Sequence, residues 1–168
     1  RFDQEFKLSY KLIGHHGKIT SLSLSDDEYY LISAGTDKII KLWCLRQKCL
    51  LAEYRGHLKT IWSVSFSKSG YFFLSGSADK TAKLWSTDDS IAQRVYAGHQ
   101  DDVIKVDFLK NPDILATGSE DRTVRIWNTL TTDCINVPLI LTSDIQTRSL
   151  PNNRQKQHFR PILRHLRQ

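Results

Sequence analysis

Residues 56–85 read GHLKTIWSVSFSKSGYFFLSGSADKTAKLW, and this stretch determines the fold that we predict. It opens on Gly56-His57, carries Asp79 near its end and closes on Trp85. The same elements recur with a step of 42 residues on either side, as Gly14-His15, Asp37 and Trp43 and as Gly98-His99, Asp121 and Trp127. A period of about 40–45 residues indicates copies of one structural unit, here three of them.

Within each unit the apolar pattern is that of short β-strands. Val64 and Phe66 alternate with serines, which is typical of a half-buried strand. The apolar run at 72–75 follows a Lys68-Ser69-Gly70 turn and predicts a buried central strand. A tight turn at Asp79-Lys80 leads to a third strand ending in Trp85. A weaker strand is predicted before each Gly-His pair, at Tyr10–Ile13, Leu50–Tyr54 and Ile91–Tyr96.

Units of four strands framed by Gly-His and Trp resemble the WD-repeat family, in which each unit is one blade of a β-propeller. The resemblance implies an all-β fold, an incomplete β-propeller with three four-stranded blades. We expect a lead-in at 1–7, the blades at 8–139 and an unpatterned basic tail at 140–168. Family members usually carry Asp after the repeat Trp, where this chain has Cys44, Ser86 and Asn128.

Almost all of the net charge of +6 lies in the tail. Residues 140–168 hold six of the 24 Lys and Arg residues and one of the 18 acidic residues, so the rest of the chain is nearly neutral. We therefore predict that the blades bind no nucleic acid sequence-specifically. No apolar run approaches the about 20 residues that span a membrane, and we predict no membrane association.

The blade pattern ends where the tail begins. The next Gly-His pair would fall at Ile140-Leu141. We predict that the tail is disordered or an artefact of the gene model, with a solvated tail or a helical extension as alternatives. Closed propellers need about four to eight blades, and the chain has no methionine. We therefore expect it to be a piece of a longer protein.

Each unit contains a His, an Asp and a hydroxyl group, as His57, Asp79 and Ser75 in the second unit. A hydrolase triad is one interpretation, but a triad is needed once, whereas this set occurs three times without a Gly-x-Ser-x-Gly motif. We interpret the set as a structural hydrogen-bond network, and we predict no enzyme activity, cofactor or metal. The network comprises His15, Ser33, Asp37, Trp43, His57, Ser75, Asp79, Trp85, His99, Thr117, Asp121 and Trp127.

The three cysteines are Cys44, Cys49 and Cys134, and no two of them have Cys-x-x-Cys spacing. Their odd number and the absence of Cys-x-x-Cys spacing argue against a disulfide framework or a zinc site. We interpret them as reduced, buried thiols of a cytosolic or nuclear protein.

By resemblance to WD repeats, partner binding is expected at the rim where the chain enters the innermost strand and where the Asp turn projects. Trp62 is the only Trp outside the repeat pattern, and period two places its side chain in phase with Val64 and Phe66. It is either an exposed anchor for a partner or a packing residue between blades. The candidate rim residues are Lys18, Thr20, Thr36, Thr60, Trp62, Ala78, Asp102, Ile104 and Glu120.

The second and third units also resemble a narrower family. Residues 81–85 (TAKLW), 94–99 (RVYAGH) and 116–125 (ATGSEDRTVR) are similar to the WD-repeat subunits of the general transcription factor TFIID, although Lys83 replaces their usual Arg. This resemblance implies a nuclear scaffold for RNA polymerase II pre-initiation complex assembly that binds histone-fold subunits of TFIID or a SAGA-type coactivator. The alternative is another WD-repeat adaptor, such as a ubiquitin-ligase substrate receptor or a splicing-complex subunit.

Overall fold

Each Gly-His pair is followed by an antiparallel sheet of four strands in the computed structural model, which describes residues 10–136. Blade one contains β1 (Ile19–Leu24), β2 (Tyr30–Gly35), β3 (Ile39–Cys44) and β4 (Cys49–Arg55). Blade two contains β5 (Ile61–Phe66), β6 (Phe72–Ser77), β7 (Thr81–Ser86) and β8 (Ala92–Ala97). Blade three contains β9 (Val103–Phe108), β10 (Ile114–Ser119), β11 (Val124–Asn128) and β12 (Cys134–Asn136).

The strands run in sequence order within each sheet, so every connection inside a blade is a hairpin or a short turn. The predicted all-β class and the three four-stranded blades are confirmed. The strand predicted at Tyr10–Ile13 is wrong. Such a strand pairs with the third strand of the preceding blade, and the described residues contain no blade before Gly14. The lead-in at 1–7 and the tail at 140–168 lie outside the described residues. Within residues 10–136, no helix is long and apolar enough to span a membrane.

Large side chains of neighbouring blades form the core. Blade one contributes Ile32, Ile40 and Tyr54, which pack against Phe73 and Trp85 of blade two. Each such fully buried apolar side chain stabilises the fold by about 1.5–3 kcal/mol relative to an exposed one. The same arrangement joins blades two and three through Leu74, Ala82, Tyr96, Val103, Val106, Leu115 and Trp127.

Two tyrosines repeat one polar contact at these interfaces. Tyr54 donates its hydroxyl hydrogen to the carbonyl oxygen of Thr87 at 3.2 Å, and Tyr96 donates to that of Thr129 at 3.0 Å. Burial raises the pKa of both phenols to about 12. Each tyrosine therefore combines a large apolar contact with a satisfied polar end.

The innermost strands of neighbouring blades are joined by serine hydroxyls instead of a backbone ladder. The Oγ atoms of Ser21 and Ser23 accept hydrogen bonds from the backbone N–H groups of Val64 and Phe66, both at 3.1 Å. Ser63 accepts in the same way from Val106 at 3.3 Å. These side chains satisfy N–H groups that face the neighbouring blade.

The apolar face of β1 differs from its counterparts. Leu22 and Leu24 are 63% and 49% exposed, whereas the equivalent Val64 and Phe66 of blade two are 3% and 9% exposed. Blade one covers Val64 and Phe66, while no described residue covers Leu22 and Leu24 to the same extent. Within the described residues, β1 therefore presents an open apolar sheet face.

A candidate interaction surface above a buried network

The turn between the second and third strands of each blade places the repeat Asp. In blade two, the backbone N–H of Lys80 donates to the carbonyl oxygen of Ser77 at 3.1 Å. Lys80 adopts the left-handed region with φ 71°, as do Lys38 and Arg122 in the other blades. The Asp79 carboxylate then accepts from the backbone N–H of Thr81 and from its hydroxyl, at 3.1 and 2.6 Å. The turn therefore fixes the direction of the carboxylate.

Four side chains form a continuous chain of hydrogen bonds in blade two. His57 Nδ1 lies 2.8 Å from Asp79 Oδ2, and His57 Nε2 lies 2.7 Å from Ser75 Oγ. Trp85 donates its indole N–H to the same Ser75 Oγ at 2.8 Å. The same chain forms in the other two blades, with equivalent distances of 2.7, 2.7 and 2.8 Å in each. Its members are His15, Asp37, Ser33 and Trp43 in blade one and His99, Asp121, Thr117 and Trp127 in blade three.

The carboxylate determines the proton positions in this network. Burial raises the pKa of Asp79, but hydrogen bonds from His57 and Thr81 outweigh burial and hold the pKa well below its usual range. Asp37 and Asp121 are shifted in the same direction by the same balance. An ionised carboxylate only accepts, so Nδ1 of the histidine carries the hydrogen. In neutral His57, Nε2 then accepts from the Ser75 hydroxyl, which in turn accepts from Trp85.

The glycine of each Gly-His pair is explained by its contact with the repeat Trp. A Cβ atom at Gly56 would lie 3.2 Å from the Cη2 atom of Trp85, and one at Gly14 would lie 3.1 Å from that of Trp43. These distances are shorter than ordinary van der Waals contact. The glycine, the histidine, the aspartate and the tryptophan are thus parts of one packed unit.

The alternative of a hydrolase triad receives no geometric support. Ser75 has no exposed surface, and His57 is buried as well. The Ser75 hydroxyl already accepts from Trp85 and contacts His57, so a substrate cannot approach it in this conformation. Among residues 10–136, no three His, Cys, Asp or Glu side chains are grouped so that they could hold a metal ion.

The rim carries a β-bulge in the first strand of every blade. In β5, Ile61 pairs with Ser77 and Ser63 pairs with Gly76, so Trp62 is the additional residue. Thr20 and Ile104 occupy the same bulge in β1 and β9. The prediction that Trp62 is in phase with Val64 and Phe66 is therefore wrong, because a bulge redirects the side chain of the additional residue.

Trp62 is held at the boundary between blades two and three. Its indole N–H donates to Asp102 Oδ2 at 2.9 Å, and the side chain remains 39% exposed. Asp102 is itself joined to the next turn, because its carbonyl oxygen accepts from the backbone N–H of Glu120 at 2.9 Å. One blade thus supplies the aromatic ring and the next supplies the carboxylate that orients it.

The other rim residues differ in what they can offer to a partner. Lys18, Thr36, Ile104 and Glu120 are exposed, and Thr60 is partly buried. The Thr20 hydroxyl lies within hydrogen-bond distance of the carbonyl oxygens of Ala34 and Ile61 and can donate its one hydrogen to either, so it is turned towards blade two. Ala78 is buried, so its side chain offers little surface to a partner. Its backbone N–H donates to the carbonyl oxygen of Thr60 at 2.9 Å.

Sequence reasoning missed two contacts that tie the blades together near the rim. The Lys80 ammonium group donates to the carbonyl oxygen of Gln100 at 2.7 Å and so connects blade two to the loop before β9. The second kind of contact is made by Ser21, Ser23 and Ser63, which the sequence showed only as the polar residues of an alternating strand pattern.

The predicted burial of the three cysteine thiols is wrong, because Cys44 and Cys49 are partly buried and Cys134 is exposed.

Comparisons with known proteins agree with this architecture. The family model of the WD domain, G-beta repeat, matches residues 6–44, 48–86 and 91–128, which together exceed half of the chain. Transcription initiation factor TFIID subunit 5 of Encephalitozoon cuniculi (strain GB-M1) is 39% identical over 54 residues. The matched stretch is 32% of this chain and 10% of that relative, so the alignment covers about a tenth of the relative's length.

Proposed function

Because the chain belongs to the family of WD40-repeat proteins, we propose that it is a non-enzymatic scaffold that binds other proteins through the rim around Trp62. The observation that carries this proposal is the hydrogen bond between Trp62 and Asp102. A half-exposed Trp whose orientation is fixed before binding loses little conformational freedom on contact, and Trp is enriched among the residues that dominate binding energies.

The charges around Trp62 favour a protein partner over a small molecule. Lysines lie on the rim of blades one and two, at Lys18, Lys38, Lys59 and Lys80, whereas the rim of blade three carries Asp101, Asp102 and Glu120 beside Arg122 and so has a negative balance. An aromatic anchor between surfaces of opposite sign fits a partner with complementary charges on either side of an apolar residue. The His-Asp-hydroxyl sets are buried, which supports a structural role for them and a non-enzymatic function for the protein.

We extend the proposal to the identity of the assembly. The similarity to TFIID subunit 5 supports a nuclear subunit of TFIID, or of a SAGA-type coactivator, that binds histone-fold subunits during assembly of the RNA polymerase II pre-initiation complex. Residues 81–128 of the described blades carry most of the motifs that resemble this family.

Affinity purification of the full chain, tagged at its own gene, tests the proposal. We expect TFIID or SAGA-type subunits to co-purify, and we expect Trp62→Ala to reduce their recovery. Tyr71→Ala is the matched control, because Tyr71 is an exposed aromatic at the opposite end of blade two. Recovery of ubiquitin-ligase or splicing components instead would assign the chain to another adaptor class. Recovery of partner subunits with Trp62→Ala that equals recovery with Tyr71→Ala and with the wild type would exclude Trp62 from the interface.

A further inference from the structure

Two cysteines lie directly opposite each other at the end of the β3–β4 hairpin. Cys44 is the last residue of β3, Cys49 is the first residue of β4, and the two are Cα partners in the antiparallel register. Directly opposed residues have Cα atoms about 4.5–5.5 Å apart and side chains on the same face of the sheet. That separation lies within the range of about 4.4–6.8 Å found in disulfides.

Gln47 in the connecting turn contacts both sulfur atoms. Its backbone N–H donates to Cys44 Sγ at 3.4 Å, and the Cys49 thiol donates to Gln47 Oε1 at 3.6 Å. Gln47 therefore lies beside both thiols. They are partly buried, whereas Arg46, Gln47 and Lys48 around them are exposed, so a small oxidant can approach.

The repeat does not require this pair. The positions 42 residues further along hold Ser86 and Ile91, and those after another step hold Asn128 and Asp133. The third cysteine, Cys134, lies on β12 in blade three. The juxtaposition is thus a property of blade one alone.

We propose that Cys44 and Cys49 are an oxidation site that closes into a reversible intramolecular disulfide in the presence of a low-molecular-weight disulfide such as oxidised glutathione. One cysteine thiolate attacks a glutathione sulfur, which forms a mixed disulfide and releases one glutathione thiolate. The second cysteine thiolate attacks the protein sulfur of the mixed disulfide and releases the second glutathione. The two cysteine thiols lose two protons and two electrons, and glutathione disulfide is reduced to two thiols.

The bridge would fasten the outermost strand of blade one. β4 carries Tyr54, whose ring contacts the Phe73 ring edge-on with centroids 4.8 Å apart across the interface with blade two. A covalent link between β3 and β4 restricts opening of β4 and so protects this interface. In a compartment kept reducing by glutathione the bridge forms only under oxidant load.

The test uses the full chain, reduced and then incubated with excess oxidised glutathione. We expect labelling and peptide analysis of the denatured protein to show that Cys44 and Cys49 lose their thiols and retain no glutathione, with the exposed Cys134 scored separately. Trypsin cleaves after Arg46 and Lys48, between the two cysteines, so the bridge yields a linked peptide pair that separates on reduction. Cys134→Ser should lose both of its thiols and retain no glutathione, whereas Cys44→Ser should retain glutathione on Cys49.

A second measurement separates the effect of the fold from closeness in sequence. The equilibrium between the dithiol and the disulfide is compared in the folded chain and in urea. We expect folding to favour the Cys44–Cys49 bond by about tenfold or more, which corresponds to about 30 mV. The proposal would be overturned by equal dithiol–disulfide equilibrium constants in the folded chain and in urea. A linked peptide that contains Cys134, or stable glutathione on both Cys44 and Cys49, would overturn it as well.

Discussion

Trp62 and Asp102 belong to different blades, and a hydrogen bond of 2.9 Å joins the indole N–H of the first to the carboxylate of the second. The equivalent positions of Trp62 in the other blades hold Thr20 and Ile104, so the repeat itself needs no Trp there. An exposed aromatic that the fold does not require is a better interface candidate than one that it does.

We therefore expect Trp62→Ala to separate binding from stability. The free energy of unfolding should fall by less than about 1.5 kcal/mol, because the side chain is half-exposed. Binding to histone-fold partner subunits should weaken by about 2 kcal/mol or more. Pull-down with the full chain and thermal melting, with Tyr71→Ala as control, measure both quantities. A large loss of stability with unchanged binding would assign Trp62 to the packing between blades.

The repeat made most of the fold predictable, and the limits of that prediction have a common cause. The period of 42 residues placed His57, Asp79 and Trp85 in one unit, because local turn and strand patterns determine their positions. The bulge at Trp62 and the opposition of Cys44 and Cys49 depend on strand register, which pairing across the sheet determines. The inter-blade bonds of Ser21 and Ser23 depend on how two blades pack, and alternation within one strand contains no such information.

The buried network should respond to mutation as one unit. Asp79→Ala and Trp85→Ala should each lower the free energy of unfolding by about 1–4 kcal/mol, through a lost buried hydrogen bond and a cavity respectively. The double variant should cost less than the sum, because both residues act through His57 and Ser75. Denaturant unfolding measures the coupling. Asp79→Ala combined with Trp127→Ala, in another blade, is the control, and strict additivity within blade two would contradict the network.

Acid should destabilise the protein through the same carboxylates. The pKa of Asp79 in the folded state lies below its unfolded value of about 3.9, so the ionised form stabilises the fold above that pH. This contribution is lost as the pH falls from about 4 through the lowered pKa. We expect Asp79→Asn to flatten the dependence of Tm on pH below about pH 4. Asp121→Asn in blade three should flatten the dependence as well, since the pKa of Asp121 is lowered in the same way. An unchanged slope in both variants would contradict this account.

The tail should account for adsorption to DNA. Replacing its six Lys and Arg residues by Gln in the full chain removes most of the net charge and should abolish most salt-dependent, non-specific binding. Titrations at several salt concentrations measure the slope. The control replaces six exposed cations of the blades, namely Lys11, Lys38, Lys59, Lys68, Lys110 and Arg122. A steep slope that survives the tail variant but not the control would reveal a phosphate-binding site on the blades.

The serine contacts between innermost strands should contribute measurably to blade packing. Ser21→Ala removes the acceptor for the backbone N–H of the buried Val64 and leaves that group without its partner, which should cost about 1–3 kcal/mol of unfolding free energy. Ser65→Ala is the matched control, because the Ser65 hydroxyl donates to Asp107 at the exposed side of the interface. Its loss should cost less than about 0.5 kcal/mol, since both groups can bind water instead. Chemical unfolding of the two variants decides the point, and a cost for Ser21→Ala as small as the one expected for Ser65→Ala would show that these hydroxyls do not hold the blades together.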